Sequence, residues 1–424
     1  MTTSPKLQPV RGTHDLLSEE CRKFRFIIEQ AFTVAKRYGY GEIATPVFEF
    51  SDVFHRTLGD TSDVVTKETY SFTDRGGEQL TLRPEFTASV ARAFISNALQ
   101  DQLPLKFFCA GPAFRYERPQ KGRQRQFHQI DVELLGVAEP LGDIEIIALA
   151  WRILGALGLS DKVKLELNTL GDRESRANYR SSLITFLRNH AAGLSEDSRA
   201  RLERNPLRIL DSKDEGDRSI IAGAPRMADH MTQAAQDYFM AVTDGLSALD
   251  IQFTLNERLV RGLDYYNHTV FEFTTDMLGA QGTVLGGGRY DGLIELMGGP
   301  PTPGIGFAAG MERLAALVDF AFHPEFTPLP RPIAIIPLGT EAEKAALVLA
   351  ETLRAQGFYI DLGYKGNLKN RMKKADKAHA MLALILGETE LVKGVVVVKN
   401  LDTGTQEEIS HAALADKLRS NVSA

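Results

Sequence analysis

Residues 114–134 read Phe-Arg-Tyr-Glu-Arg-Pro-Gln-Lys-Gly-Arg-Gln-Arg-Gln-Phe-His-Gln-Ile-Asp-Val-Glu-Leu, two extended runs joined by a turn whose breaks are Pro119 and Gly122. A strand turns alternate side chains to opposite faces. The return run therefore groups Phe127, Gln129, Asp131 and Glu133 on one side and His128, Ile130, Val132 and Leu134 on the other. The second set is mostly apolar and must face a core. The first offers an aromatic plane, an amide and two carboxylates. Arg115, Arg118, Lys121, Arg123 and Arg125 crowd the same hairpin, a charge density suited to a polyanion such as a nucleoside triphosphate. An ordinary exposed hairpin of mixed charge would read the same way.

The chain around this hairpin is long enough for several cores. Its 424 residues correspond to about three domains. Hydrophobic and charged fractions of 43% and 25% are those of a soluble protein rather than a disordered or fibrous one. A net charge of −6 excludes a chain-wide footprint for nucleic acid, so such contact must use local basic patches. Cys21 and Cys109 cannot build a disulfide framework, and no Cys/His spacing suits zinc. Both read as core residues. Residues 1–10 lack the apolar run of a signal peptide, and no stretch has the length of a membrane span. A cytoplasmic protein is expected.

Leu17, Cys21, Phe24, Ile28, Ala31, Phe32 and Ala35 recur at helical spacing, with Glu19 and Glu20 at the positive end and Gly39 closing the helix. Glu42 to Phe50 is extended, and its Pro46 argues for an edge or interface strand. Gln79 to Arg83, Leu105 to Ala110 and Val163 to Asn168 read as strands; Glu85 to Asn97 and Ile144 to Leu157 read as helices. From 172 to 250 helices with polar connections suggest an inserted helical domain, its stripe made by Leu183, Phe186, Leu187 and His190. Sheet-like sequence resumes at Ile251 and continues through the glycine-rich Gly286–Gly292 and Gly304–Gly310 into a helix carrying Glu312 and Arg313.

The expected organisation is a core in two parts (1–171 and 251–322), the insertion (172–250), a proline-rich linker (323–332) and a terminal domain (333–424). Irregular mixing of strands and helices implies an α+β core, a largely antiparallel sheet with flanking helices. The terminal domain alternates regularly and is expected to be α/β with parallel strands. Lys365, Lys369, Arg371, Lys373, Lys374 and Lys377 at its second helix are opposed only by Asp376, a pattern that a solvated face also produces.

Gly286-Gly-Gly lacks the P-loop pattern and Gly304-x-Gly lacks Rossmann spacing; either could simply let elements approach closely. In Arg261-Gly-Leu-Asp-Tyr-Tyr266, Arg261 and Asp264 precede two tyrosines expected on opposite faces. An ion pair beside core tyrosines is the alternative reading there.

Taken in order, Arg11-Gly-Thr-His-Asp15, Thr81-Leu-Arg-Pro-Glu-Phe-Thr-Ala88, the hairpin, Arg261–Tyr266, Gly287-Gly-Arg-Tyr-Asp-Gly-Leu293 and Gly306-Phe-Ala-Ala-Gly-Met-Glu-Arg-Leu314 resemble the motifs of the histidyl-tRNA synthetase family, class II aminoacyl-tRNA synthetases. The resemblance spans essentially the whole chain. It implies a class II synthetase-like antiparallel sheet, a homodimer with the Pro46 segment at its interface, and a terminal anticodon-binding domain. It implies L-histidine, ATP and tRNA(His) as substrates, with Mg²⁺ accompanying ATP through ligands that spacing does not name. By resemblance, adenine lies against Phe127, Arg115 holds the α-phosphate, and Arg123 and Arg313 hold the γ-phosphate. The histidine ammonium meets Glu85, Thr87 and Gln129. The imidazole sits between Glu133 and Tyr266, with Tyr290 lining the pocket. Arg261 lies between the substrate carboxylate and the α-phosphate, making Arg261 and Arg115 the catalytic pair. Arg118, Gln120, Lys369, Arg371 and Lys373 are the residues implied for tRNA.

The sequence departs from the commoner family pattern at Phe86, often glycine, and at Asp131, often small. Phe86 is expected to tighten the amino-group pocket; Asp131 adds a carboxylate to the site face. A non-catalytic histidine-binding paralogue, resembling the regulatory subunit of ATP phosphoribosyltransferase, shares much of the pattern. Such paralogues tend to lose the arginines and terminal domain found here. A class II synthetase for another amino acid is opposed by the Arg261–Tyr266 block.

Overall fold

Apolar residues three and four apart make Ser18–Arg37 a helix (α1) that buries Phe24, Ile27, Ala31, Val34 and Ala35, with acids in its first turn and Lys36 and Arg37 in its last. Cys21 falls outside that stripe: it is exposed and its thiol donates to Leu16 O at 3.1 Å, so only Cys109 is a core cysteine. The computed structural model describes residues 6–58, 68–120, 122–203, 205–212, 214–260, 265–279 and 282–422. These fall into two compact units, divided between Phe322 and His323.

In the first unit the remaining helices are α2 (Asp52–Leu58), α3 (Thr87–Ser96), α4 (Pro140–Ala156), α5 (Arg173–Asn189), α6 (Glu196–Arg201), α7 (Glu215–Ile221), α8 (Gln233–Ala248), α9 (Leu293–Leu296) and α10 (Met311–Leu317). Its strands are β1 (Gly41–Glu42), β2 (Phe48–Phe50), β3 (Tyr70–Thr73), β4 (Gln79–Leu82), β5 (Leu105–Phe114), β6 (Gln126–Leu135), β7 (Lys164–Thr169), β8 (Thr254–Leu255), β9 (Asn267–Thr274), β10 (Thr283–Arg289) and β11 (Gly304–Gly310). Among the described residues, eight strands form one sheet in the order β1-β5-β6-β11-β10-β9-β7-β8. Its interior pairs are antiparallel; only the end pairs β1/β5 and β7/β8 are parallel. The α+β architecture read from the sequence is the one observed. β2, β4 and β3 make a separate small antiparallel sheet.

The β5/β6 pair forms the expected hairpin, with a long loop from Arg115 to Arg125 between the strands. The Arg11–Asp15 motif clamps that loop: Arg125 N–H donates to Gly12 O at 2.7 Å. Gly12 has φ +85°, and a Cβ there would stand 2.7 Å from Arg125 Cγ, so both backbone shape and space require glycine. The apolar face of β6 meets helices. His128 lies edge-on to Phe24 of α1 at 5.3 Å, and α10 and α4 pack on the same side.

The helical stretch does not stand apart from this unit. Leu183, Leu187, Ile209 and Ile221 share one buried cluster with Phe94 and Tyr290. α8 packs against α4, with Tyr238 Oη donating to Asp143 Oδ2 at 2.7 Å. Within the stretch, buried Asp217 accepts from Ser195 N and Oγ, both at 2.8 Å, and from Ser198 Oγ and Ser212 Oγ, both at 2.6 Å. Burial alone would raise its carboxyl; the serine donors overcome that and hold it at about 2. A carboxylate lowered in this way stabilises the fold above its ordinary value of 3.8 and loses that contribution as the pH falls through 2. Asp217→Ala strands three hydroxyls and an amide. It is expected to lower unfolding free energy by about 1.5–3 kcal/mol, seen as a reduced urea midpoint at pH 7 and a shrinking deficit toward acid pH. An unchanged midpoint at pH 7 would show that this knot holds nothing.

The second unit contains β12 (Ile333–Pro337), α11 (Thr340–Ala355), β13 (Ile360–Leu362), α12 (Leu368–Lys377), β14 (Leu382–Leu386), α13 (Glu388–Lys393), β15 (Val395–Asn400), β16 (Gln406–Ser410) and α14 (His411–Val422). Its sheet runs β13-β12-β14-β15-β16. The first two pairings are parallel, as expected, but β15 runs antiparallel to both neighbours. Between β14 and β15 lies only the six-residue α13 with its caps, whereas a parallel crossover needs about a dozen residues or more. No helix among the described residues is long and apolar enough to cross a membrane.

Candidate active site

Phe127, Gln129, Asp131 and Glu133 follow one another along one face of β6 at about 6.6 Å intervals. Apart from Phe107 opposite Glu133, their cross-strand neighbours are small: Ala113, Gly111 and Cys109 on β5, and Gly310, Ala308 and Gly306 on β11. Gly288 and Gly286 continue this bare floor on β10. The glycine-rich runs thus leave volume above the sheet. A Cβ at Gly306 would overlap both Glu133 Oε2 and the Val132 carbonyl. The resulting cleft, about 190 Å³, is lined from Arg313 at one end to Glu85 and Tyr266 at the other.

Cations gather at the Phe127 end. The Arg115 guanidinium lies 5.1 Å from the Phe127 ring centre and donates from Nε to Pro84 O at 3.0 Å. Arg123 pairs with Glu117 at 3.1 Å, and Arg313 Nη1 donates to Thr283 O at 2.6 Å. Burial, then repulsion from Arg123 and Arg115, makes the Arg313 guanidinium less basic than usual. Like charges held this close suit a bound polyanion. Glu312 fixes the start of α10, accepting from His128 N at 2.9 Å and lying 3.0 Å from His128 Nδ1. The next residue, Arg313, is thereby directed into the cleft.

Acceptors gather at the other end. Buried Glu133 accepts from Thr87 Oγ1 at 2.6 Å and from the Tyr290 hydroxyl. Burial pushes its carboxyl up to about 8; those two hydrogen bonds pull the other way and Glu85 adds repulsion. Glu85 Oε1 accepts from Ala88 N at 2.9 Å at the start of α3, and burial raises this carboxyl too. Tyr290, expected only to line the pocket, is the tyrosine that touches Glu133. Tyr266 lines the cleft over Gly288, its ring 4.6 Å from Tyr265. Tyr265 lines the cleft as well, so the two tyrosines do not face opposite ways: they sit in a turn ahead of β9, where strand alternation does not apply. Arg261, Asp264 and Lys121 lie outside the described residues.

Phe86 does not tighten the pocket. It is buried beneath the Arg83 guanidinium, 3.8 Å from ring centre to carbon, in a cluster with Val90, Cys109 and Ala113. Sequence reasoning missed Arg289, which is buried, ion-paired to Asp143, 3.0 Å from Asp291 Oδ1 and bonded to Val137 O at 2.8 Å. This network anchors the end of β10 from which Tyr290 projects. Its one local sign is Asp143, in the mostly apolar stretch that forms α4 and that also carries Glu145 and Arg152.

Of the residues implied for tRNA, Arg118 and Gln120 are exposed on the hairpin loop, and Lys369 and Lys373 are exposed on α12. Arg371 is not: it is 5% exposed and donates to Pro337 O and to Glu343 Oε1, the latter at 2.7 Å. It shares the inward stripe of α12 with Ala375, which excludes it from an RNA-facing surface. Lys365, Lys373, Lys374 and Lys377 line a groove of about 410 Å³ with Asn370. Among the described residues, no group of three or more His, Cys, Asp or Glu could hold a metal ion.

An antiparallel sheet of this order, with arginines from the β5–β6 loop and from the start of α10 meeting above its central strands, is the catalytic scaffold of class II aminoacyl-tRNA synthetases. Residues 12–314 match the family model for histidyl-tRNA synthetase, and residues 332–421 match that for an anticodon binding domain. The chain belongs to the histidyl-tRNA synthetase family. It is 58% identical to the histidine–tRNA ligase of Rhodospirillum rubrum over 412 residues, 97% of this chain and 98% of that protein. The corresponding protein of Wolbachia pipientis wMel is 52% identical, over 95% and 97% of the two chains. The crystal structure of apo S. aureus histidyl-tRNA synthetase superposes with a TM-score of 0.78 at 34% identity, covering 97% of this chain and 99% of that one. A Bacillus halodurans structure described as an ATP phosphoribosyltransferase regulatory subunit/histidyl-tRNA synthetase shares the fold, with a TM-score of 0.65 at 22% identity over 91% and 99% of the chains.

Proposed function

We propose that the protein activates L-histidine with ATP, forming histidyl-adenylate and pyrophosphate, and transfers the histidyl group to the terminal ribose of tRNA(His). The observation that carries this reading is the polarity of β6, with cations at its Phe127 end and buried acceptors at its Glu133 end. ATP would lay adenine on Phe127, its α-phosphate beside Arg115 and its γ-phosphate between Arg123 and Arg313. A histidine carboxylate oxygen attacks the α-phosphorus as pyrophosphate leaves. The protein has little covalent work to do: it aligns two anions and offsets their repulsion with fixed guanidiniums. The family motif alone assigns Arg261 to the bridging position between carboxylate and α-phosphate.

The ammonium would meet Glu85, Thr87 and Gln129. The imidazole would meet Glu133, held by Tyr290, with Tyr266 serving the second ring nitrogen. Mg²⁺ would enter with the triphosphate as part of the substrate. The two-part core (1–171 and 251–322), the insertion (172–250), the linker and the terminal domain keep the roles that the resemblance gives them. Lys369 and Lys373 would touch the anticodon arm, and Arg118 and Gln120 the acceptor arm. Exposed Phe48, Phe50 and Phe72 on the small sheet support a homodimer interface near Pro46. The cytoplasm is the compartment where such a protein meets its tRNA.

Histidine-dependent exchange of pyrophosphate into ATP, measured without tRNA, tests this directly. Exchange with histidine and not with other amino acids is expected. A protein that binds histidine without exchange would instead be a regulatory paralogue, a reading disfavoured by the three arginines in the cleft.

A further inference from the structure

Asp131 is 0% exposed yet lines the cleft, and among the described residues neither of its carboxylate oxygens has a hydrogen-bond partner. Glu85 Oε2 and Gln129 Oε1 are buried in the same cleft and are likewise unpartnered. Unpaired buried acceptors are costly, and native proteins contain few of them. Four at one place fit a ligand that carries several N–H donors. Glu133 is not part of the set, because Thr87 and Tyr290 already engage its oxygens.

The electrostatic surroundings specify a cation. Asp131 faces Glu133 on its own strand, Glu85 from the turn before α3, and the guanidiniums of Arg83 and Arg115. Its cross-strand neighbours are Cys109, a thiol kept neutral by burial and nearby carboxylates, and Ala308. Arg83 is engaged by Thr45 O, Pro112 O and the face of Phe86; Arg115 is engaged by Pro84 O and Phe127. Neither donates a hydrogen bond to Asp131. Burial and the two neighbouring carboxylates raise the Asp131 carboxyl well above its usual range, which a bound positive charge would relieve.

Resting on the histidine-activation reading above, we propose that Asp131 is a specificity-determining residue, an acceptor that joins Glu85, Thr87 and Gln129 in the socket for the substrate's ammonium group. A primary ammonium has three N–H bonds; the unpartnered oxygens of Asp131, Glu85 and Gln129 can take them, beside the Thr87 hydroxyl, whose own proton goes to Glu133. A ligand with the same ring and no amine leaves all of them unpaired.

Equilibrium binding of L-histidine, L-histidinol and 3-(imidazol-4-yl)propionate to the full-length protein isolates the amine from the rest of the ligand. Asp131→Asn keeps the shape and removes the charge. It should weaken histidine and histidinol by about 10–100-fold, the range of a charge-assisted hydrogen bond, and leave the amine-less propionate within about twofold. Asp131→Ala removes the unpaired oxygens altogether; it should lose the same affinities while raising the thermal midpoint of the ligand-free protein. A lowered midpoint would mark Asp131 as structural. Unchanged histidine affinity, or equal weakening of all three ligands in variants that still bind ATP, would overturn the assignment. A wild-type protein that binds none of the three defeats the histidine-activation reading itself, independently of the variants.

Discussion

Glu133→Gln should lower histidine-dependent adenylate formation by on the order of 10²–10³ while leaving ATP affinity close to that of the wild type. Thr87 and the Tyr290 hydroxyl both direct protons at the Glu133 oxygens, so the remaining lone pairs are all that a ring N–H can meet. An amide in that position turns N–H groups toward one of the hydroxyls and loses the charge that strengthens the bond to imidazole. A second, independent signature lies in stability. Burial raises the Glu133 carboxyl from 4.5 to about 8. A raised carboxyl favours the folded state fully below the unfolded value, and that contribution is lost as the pH climbs from 4.5 toward 8. The glutamine variant lacks this loss, so its thermal midpoint should gain on that of the wild type across the same interval. Normal exchange kinetics would move the imidazole elsewhere. A flat difference in midpoint would mean that Glu133 is ionised in the free protein.

How much of this could be read beforehand depends on how local the determinant is. The period of two along β6 placed Phe127, Gln129, Asp131 and Glu133 on one face, and the structure keeps all four there. The glycine runs were ambiguous because their meaning lies across strands: Gly306 is bare because Glu133 stands opposite. Tyr266 and Tyr290 could not be ranked as partners of Glu133, since the choice depends on the path of a turn. Arg289 and Asp143 are 146 residues apart, a separation that no periodicity bridges. Arg371 looked like its exposed neighbours in composition. Its place on the stripe of Ala375 was nevertheless visible in the spacing of four, a signal that charge counting hid.

Removing residues 323–424 should reduce tRNA charging by on the order of 10³ or more, because the phosphate contacts that fix the substrate's register go with them. Pyrophosphate exchange should survive. Glu85, Arg115, Arg123, Phe127, Glu133 and Arg313 all belong to the first unit, and each unit has its own buried core. The salt dependence of tRNA binding gives the more specific readout. If the groove cations Lys365, Lys373, Lys374 and Lys377 each neutralise one phosphate of a single-stranded loop, the slope of log affinity against log salt should flatten by about 3. Base discrimination in that loop needs other groups, since ammonium–phosphate contacts carry no sequence information. Substituting Lys373 and Lys374 together should therefore weaken all tRNAs alike and remove part of the slope, whereas Arg371→Ala should act through stability, leaving Glu343 without its partner. Equal loss of exchange and charging in a well-folded truncated protein would assign the terminal unit a structural role, and undiminished charging would exclude it from tRNA recognition.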